Sequence, residues 1–259
     1  MNSMYVQPDG ANEVLISPPY LAGGGDPRWI MAALHHVDGW RYNHTPLSPI
    51  VHLIRPDQQA GLRLSPDPDE PWWTILHAPT DEHPAWYARF GARTPVEILA
   101  AFTDALTAPQ PPAGTAVSNP FEPLRQADWH QTDDDWFTSP DGRVHVDHFA
   151  LRGFDHWLIT TALSDDPEDL VWQARLDGNT PTHLITPLAR ALTDPTPLRR
   201  VLGGLPRRVR PHVRTAVPPD SPADLLDPLE QRVQDLSTRG RHQAPSPPRG
   251  PLPTPRRTR

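Results

Sequence analysis

Histidine and aspartate are the residues of this sequence that could bind a metal or catalyse a reaction, because the chain has 13 histidines and no cysteine. His145 and Asp147 share one face of a predicted strand, and His156 begins the next predicted strand. Three converging side chains of this kind could hold zinc, but the helical motif H-E-x-x-H is absent. A hydrolase or metal enzyme built on these residues is therefore the third-ranked alternative, and we expect no catalytic residue, metal or cofactor.

Arginine is the second group that could do chemistry. The sequence has no lysine, so Schiff-base and P-loop lysine chemistry are excluded. The densest basic run could neutralise nucleic-acid phosphates without reading bases, or fold onto the acidic remainder of the chain. Its members are Arg199, Arg200, Arg207, Arg208, Arg210 and Arg214.

Charge divides the chain into two parts. Residues 1–197 hold 11 Arg and 26 acidic residues, a net charge of −15, whereas residues 198–259 hold 13 Arg and 5 acidic residues, a net charge of +8. The second part also has 12 of the 36 prolines, a composition typical of disordered chains. We therefore predict that residues 198–259 form a mostly disordered basic tail.

One apolar seam within this tail indicates a short helix that could dock on a partner. The seam has spacings of three and four residues. It consists of Leu226, Leu229, Val233 and Leu236.

An internal duplication organises residues 14–197. The segment 72–109 repeats as 156–195 with the same spacing of tryptophan, Trp-x-Ala-Arg and Thr-Pro. Trp86 and Trp172 each stand eight residues before a Thr-Pro, and each Thr-Pro leads into Ala-Leu-Thr-x-Pro. The sequence therefore predicts two tandem domains of common origin.

Each repeat shows the same order of predicted elements. A weak helical stretch precedes four short runs rich in aromatic and β-branched residues, and a helix that starts at Thr-Pro follows them. Thr94 is the expected N-cap of the first such helix. The fold class is α+β, with two α-β-β-β-β-α units, each an antiparallel four-stranded sheet packed by its C-terminal helix, in a pseudo-dimer. The predicted boundaries are 14–109, a Pro/Gly/Ala linker at 110–119, and 120–197.

Tryptophan gives the clearest prediction of the core. Six of the nine tryptophans occupy equivalent positions in the two repeats, which favours a buried role for them: Trp40, Trp73, Trp86, Trp129, Trp157 and Trp172. Trp29, Trp72 and Trp136 lack equivalents and are the candidates for exposed partner contacts. Arg89 and Arg175 recur three residues after the tryptophan of the last strand. Because strand side chains alternate between the two faces, each arginine should point away from that tryptophan, towards solvent or an acidic neighbour.

The motifs together resemble a known family. These are SPPYLAGGGDP near the start, the Gly-Trp after the first helix, Ser-Pro-Asp-Gly at 139–142, and the tryptophan before Thr-Pro. They resemble the actinobacterial family catalogued as domain of unknown function 317, over roughly residues 14–197 in two tandem copies. The first repeat departs from the pattern, with Arg-Pro-Asp-Gln in place of Ser-Pro-Asp-Gly. The resemblance implies the architecture and transfers no activity, ligand or catalytic residue.

These observations predict a non-catalytic protein that binds another macromolecule, with an unidentified protein as the partner. Once a helix covers one face of each sheet, the other face is available, and two copies would form a shared groove or platform. The alternative is a nucleic-acid-associated accessory protein that binds non-specifically through its tail. No apolar run approaches the roughly 18 residues that cross a bilayer, so we expect a cytoplasmic protein without a membrane segment.

Overall fold

The structure is a computed structural model that describes residues 13–43, 47–67, 71–81, 83–108, 119–133, 135–218 and 228–243, with side chains up to residue 238. It confirms the α+β class, because antiparallel strands and helices are both present. The linker predicted at 110–119 lies outside the described residues apart from Asn119.

The first repeat forms five strands between two helices, rather than the predicted four. The additional strand, Arg41–Asn43, is three exposed residues at the sheet edge, so no buried alternation identified it in the sequence. In two of the other strands, Ala60–Leu64 and Trp86–Phe90, alternate residues are buried, as the period of two requires. The elements are α1 (Arg28–His36), β2 (Arg41–Asn43), β3 (Val51–Ile54), β4 (Ala60–Leu64), β5 (Trp73–His77), β6 (Trp86–Phe90) and α2 (Val96–Thr107), after an N-terminal strand β1 (Glu13–Ser17).

The second repeat has the same element order and also contains five strands. Its edge strand is again polar and exposed along its whole length. The elements are α3 (Glu122–Gln126), β7 (His130–Asp133), β8 (Trp136–Thr138), β9 (Val144–Leu151), β10 (Phe154–Ala162), β11 (Leu170–Asp177) and α4 (Thr182–Thr193).

The two five-stranded halves join edge to edge into one antiparallel sheet of ten strands, in the order β2-β3-β4-β5-β6-β11-β10-β9-β8-β7. At the joint, Arg89 of β6 lies opposite Arg175 of β11. These two residues are repeat equivalents, so a pseudo-two-fold axis passes between them. The prediction of two separate sheets is therefore wrong in this respect: the pseudo-dimer is held by a continuous hydrogen-bonded ladder.

The helices form one contiguous layer, α3-α4-α2-α1-α5, on one face of the sheet, where α5 is Pro228–Gln243. Phe102 of α2 contacts both Trp86 and Phe90, with ring centroids 6.0 and 5.7 Å apart. The prediction that the six repeat-equivalent tryptophans fill the core is confirmed, since each is between 1% and 7% exposed. The opposite face carries no helix among the described residues.

The beginning of α2 differs from the prediction that Thr94 is its N-cap. The helix starts at Val96, whose backbone N–H donates to the Gly24 carbonyl at 2.8 Å, and Thr94 makes no capping hydrogen bond. Gly24 must be glycine at this crossing, because a Cβ there would lie 2.5 Å from the Ala92 carbonyl oxygen. A segment near the N-terminus of the chain therefore supplies the hydrogen-bond acceptor for the first N–H of helix α2.

Residues 198–218 are folded, although the sequence predicts disorder from residue 198. Strands β12 (Leu198–Val201) and β13 (Arg214–Ala216) flank β1 on both sides in a small antiparallel sheet. Leu205 and Val209 between them are 3% and 0% exposed. The composition is poor in apolar residues, but β1 provides the hydrogen-bond partners that the local sequence lacks.

The segment at 228–243 is also folded, as helix α5 against α1. Pro228 stands at its first position, where a missing N–H has no cost. Leu229, Val233 and Leu236 are half-buried on the side that faces the protein's own helix layer. Leu226 lies outside the described residues, as does 244–259. No helix in the described ranges is long and apolar enough to traverse a bilayer.

Candidate functional site: the open face of the sheet

The candidate site is the face of the ten-stranded sheet that lies opposite the helix layer, which we call the open face. One residue from each strand forms an unbroken line of directly opposed neighbours across it, the cross-strand row. In spatial order the row consists of Asn43, His52, Arg63, Thr74, Arg89, Arg175, Leu158, Asp147, Trp136 and Asp133. With nine strand-to-strand intervals, it spans about 43 Å along the sheet.

The centre of the row is the pair Arg89 and Arg175, the central arginine pair. Both side chains are exposed, as the period of two predicts. The guanidinium of Arg89 also lies 4.9 Å from the ring centroid of Tyr87 on the same strand and face. The predicted acidic neighbour is not found: in the described part of the chain, neither guanidinium forms an ion pair with a carboxylate.

Charge is unequally divided between the two halves of the open face. Beyond the central arginine pair, the first half presents Arg63 where the second half presents Asp147, its equivalent under the pseudo-two-fold. Asp177 also lies on the second half, two residues beyond Arg175 on the same strand. Desolvation is the largest effect on the pKa of Asp147 and raises it; His148 lowers this pKa by less, and the smallest effect, from Asp135, raises it. The site is therefore basic at its centre and on one side, and acidic on the other.

Of the three tryptophans proposed for partner contacts, Trp136 is the one that the structure places on the open face, with 43% of its surface exposed. Leu76, on the other half, is 54% exposed. Trp29 instead lies beneath α5, where the Arg232 guanidinium is 5.2 Å from its ring centroid. Trp72 is half-buried and packs against the core.

The candidate metal ligands His145, Asp147 and His156 all belong to the open face by strand register. They do not form a metal centre: the described residues include no group of three or more His, Asp or Glu side chains arranged to hold an ion. The His145 ring nitrogen Nδ1 is 3.1 Å from the Thr138 hydroxyl. The His156 ring lies 6.0 Å from that of Phe149.

Two arginines of the basic run are paired with acidic residues of the first repeat and its N-terminal strand. Arg200 donates to both carboxylate oxygens of Glu97, at 2.8 and 2.6 Å, and its side chain is only 14% exposed. Arg199 lies 3.3 Å from the Glu13 carboxylate. The basic run therefore binds the acidic body at these positions, which is one of the two readings that its composition allowed.

Two further arginines of the run bind backbone carbonyl oxygens of the protein itself. Arg208 donates to two carbonyl oxygens beside β11, and Arg210 donates to the Leu205 carbonyl at 3.2 Å. Arg207 and Arg214 are exposed. The six residues thus do not present one common basic surface.

An internal cavity lies between α3, α4 and the second half of the sheet, and its lining is apolar. Its volume of about 10 Å³ is at the lower limit for holding a single water molecule. It is therefore a packing defect in the core and not a substrate pocket.

Comparison with known proteins finds a match to one family model. A model of the SPDY domain, a domain of unknown function (DUF317), matches residues 55–112 and 138–198. The two matched segments cover 119 of the 259 residues and are consistent with two tandem copies of the domain. Each SPDY match covers the last three strands of a repeat and the helix that follows. The two matches together are therefore shorter than the expected range of residues 14–197. Each match also includes one member of the central arginine pair. No curated protein and no solved structure matches the chain significantly.

Sequence reasoning identified Arg89 and Arg175 as repeated and outward-facing, but it missed that they face each other. The available signal was the duplication itself. When equivalent edge strands of two repeats pair antiparallel about a two-fold axis, equivalent residues near that axis become direct neighbours.

Proposed function

We propose that this tandem SPDY-domain protein is a non-catalytic binding protein whose open face contacts a protein partner. The observation that supports this most strongly is the one-sided cover of the sheet. Ten strands form a single platform about 43 Å wide, and among the described residues the helices pack on one side of it. A two-layer fold of this kind leaves the other sheet face available for recognition.

The side chains of the open face suit protein recognition. Trp136 and Leu76 are large and exposed on opposite halves, and Arg89 and Arg175 stand between them. Tryptophan and arginine are the residue types that most often dominate protein–protein contacts. The platform is also wider than the roughly 30 Å that a standard interface of about 800 Å² per partner requires.

Two other functions have less support. Binding of nucleic acid through the basic run would require residues such as Arg200 and Arg208 to leave contacts that they make within the protein. A hydrolase or metal enzyme would need His145, Asp147 and His156 to converge. We retain the cytoplasmic location as a prediction.

Photo-crosslinking tests the proposal. A benzophenone amino acid is placed at Leu76 or Trp136 on the open face, and at the exposed Arg190 of α4 as a matched control on the helix layer. After irradiation in native lysate, we expect one discrete protein adduct from both open-face positions and not from the control. The purified adduct partner should then bind the unmodified chain in solution. Adducts from Arg190 alone, or equal adducts from all three positions, would contradict the proposal.

A further inference from the structure

We propose that the central arginine pair binds an acidic side-chain cluster of the protein partner, and that Asp147 binds a basic group of the same partner about 10 Å away. This deepens the proposed function and rests on it.

The two guanidinium groups at the centre of the sheet repel each other. Arg89 and Arg175 are direct cross-strand neighbours, and like charges in that position destabilise a sheet. Both repeats nevertheless carry arginine there, and no described carboxylate pairs with either. A carboxylate held between the two guanidinium groups would remove the repulsion and accept paired N–H donors from planar groups suited to it.

The open face fits a carboxylate cluster better than a nucleic acid. A nucleic acid carries closely spaced phosphates, so a strand or duplex laid on the open face would extend beyond the central arginine pair. Across the strands it would meet Asp147, two strands from Arg175 and about 10 Å away. Along β11 it would meet Asp177. A continuous polyanion is therefore disfavoured on the second half, whereas a protein surface with separate acidic and basic groups matches both halves.

The charges of the open face also set the orientation of the partner. Arg63 and Asp147 occupy equivalent positions of opposite charge, so the two-fold symmetry of the sheet is broken in its electrostatics. A partner with acidic groups at the centre and basic groups to one side binds in one orientation and is repelled in the reversed one. The duplication would otherwise offer two equal orientations.

A designed helical peptide provides the probe. It carries Glu at positions i and i+4 and Lys at i+7 and i+11 on one face, because i+7 lies about 10 Å along a helix. The control peptide has the same composition with both Lys on the opposite face. Binding to the full chain is measured by calorimetry at 20 mM NaCl. We expect the first peptide to bind at least tenfold more tightly, with affinity that falls as salt is added.

Variants locate the contact. The double variant Arg89→Gln/Arg175→Gln should weaken the first peptide at least tenfold, and Asp147→Asn should weaken it several-fold. Arg190→Gln on the helix layer should leave it unchanged. Because the double variant removes a repulsion between exposed groups, its melting temperature should equal or exceed that of the parent, which excludes misfolding as the cause.

Three results would overturn the inference. They are equal binding of the two peptides, insensitivity to the double variant, and tighter binding of a 20-base-pair duplex at 150 mM NaCl that depends on Arg89 and Arg175. The last would assign the pair to nucleic acid. If crosslinks still form from Leu76 and Trp136 while the double variant has no effect, the binding face stands and the charge assignment fails. If crosslinks are absent, the proposed function itself fails.

Discussion

The hydrogen bond from Trp172 to the N-terminal segment should make this tryptophan more important for stability than its repeat equivalent. The indole N–H of Trp172 donates to the Tyr20 carbonyl at 2.8 Å in a buried environment. Trp86 is buried to a similar degree, 4% against 3% exposed, but in the described structure its indole makes no hydrogen bond. The two positions therefore separate the contribution of the hydrogen bond from that of ring burial.

Replacement of either residue by phenylalanine should lower the free energy of unfolding by about 1–2 kcal/mol, because the smaller ring buries less apolar surface. Trp172→Phe also leaves the buried Tyr20 carbonyl without this donor, at a further cost of about 1–3 kcal/mol. We therefore expect a total loss of about 2–5 kcal/mol for Trp172→Phe against about 1–2 kcal/mol for Trp86→Phe.

Urea unfolding followed by far-ultraviolet circular dichroism measures both variants without depending on tryptophan fluorescence. Amide hydrogen exchange of Ile16 in β1 provides a second readout, since the N-terminal strand should open more often in Trp172→Phe than in Trp86→Phe. Equal losses of stability in the two variants, with equal exchange at Ile16, would refute the role given to this bond.

Three further predictions concern the C-terminal segment and one aspartate. Deletion of 198–259 should abolish the single cooperative melting transition in calorimetry, because β1 loses both strand partners. Arg200→Met and Glu97→Gln should each cost about 1–3 kcal/mol in urea unfolding, and the double variant less than their sum. Burial raises the pKa of Asp38 to about 6, above its ordinary 3.8, so the folded state holds this proton more tightly. The free energy of unfolding should therefore fall as pH rises from about 4 to 7, and Asp38→Asn should remove that fall.

Each of these has a result that would count against it. An unchanged melting transition after the deletion would mean that β12 and β13 do not support the fold. Strict additivity of the two charge variants would mean that Arg200 and Glu97 do not interact. The same pH dependence in Asp38→Asn and the parent would assign the titration to another group.

The core and the repeat could be predicted because their signals are local. Trp86 and Trp172 each have a fixed spacing to the helix that covers them, and that spacing survives in both copies. The alternation within β4 and β6 is likewise a property of consecutive residues. These patterns reflect burial on one face, which the chain encodes within a few residues.

The remaining features depend on partners that are distant in sequence. Strand β2 has no buried residue and is ordered by pairing with β3 and by the contact of the Tyr42 ring with His35 of α1. The joint between β6 and β11 connects segments separated by a whole repeat. Residues 198–201 lack a strand-like pattern of their own and are ordered because β1 accepts them in register. Tertiary pairing of this kind overrides local propensity, and composition gives no warning of it.

The position of β1 between β12 and β13 has a consequence for synthesis on the ribosome. Glu13 pairs with Val201 and Leu15 with Ala216, so β1 receives its neighbours only after both repeats have been translated. Until then its apolar side chains have no sheet to join, and nascent chains of intermediate length expose them. Pairing of β1 therefore waits until residues 198–216 have emerged from the ribosome, and chaperone demand should be greatest just before that point.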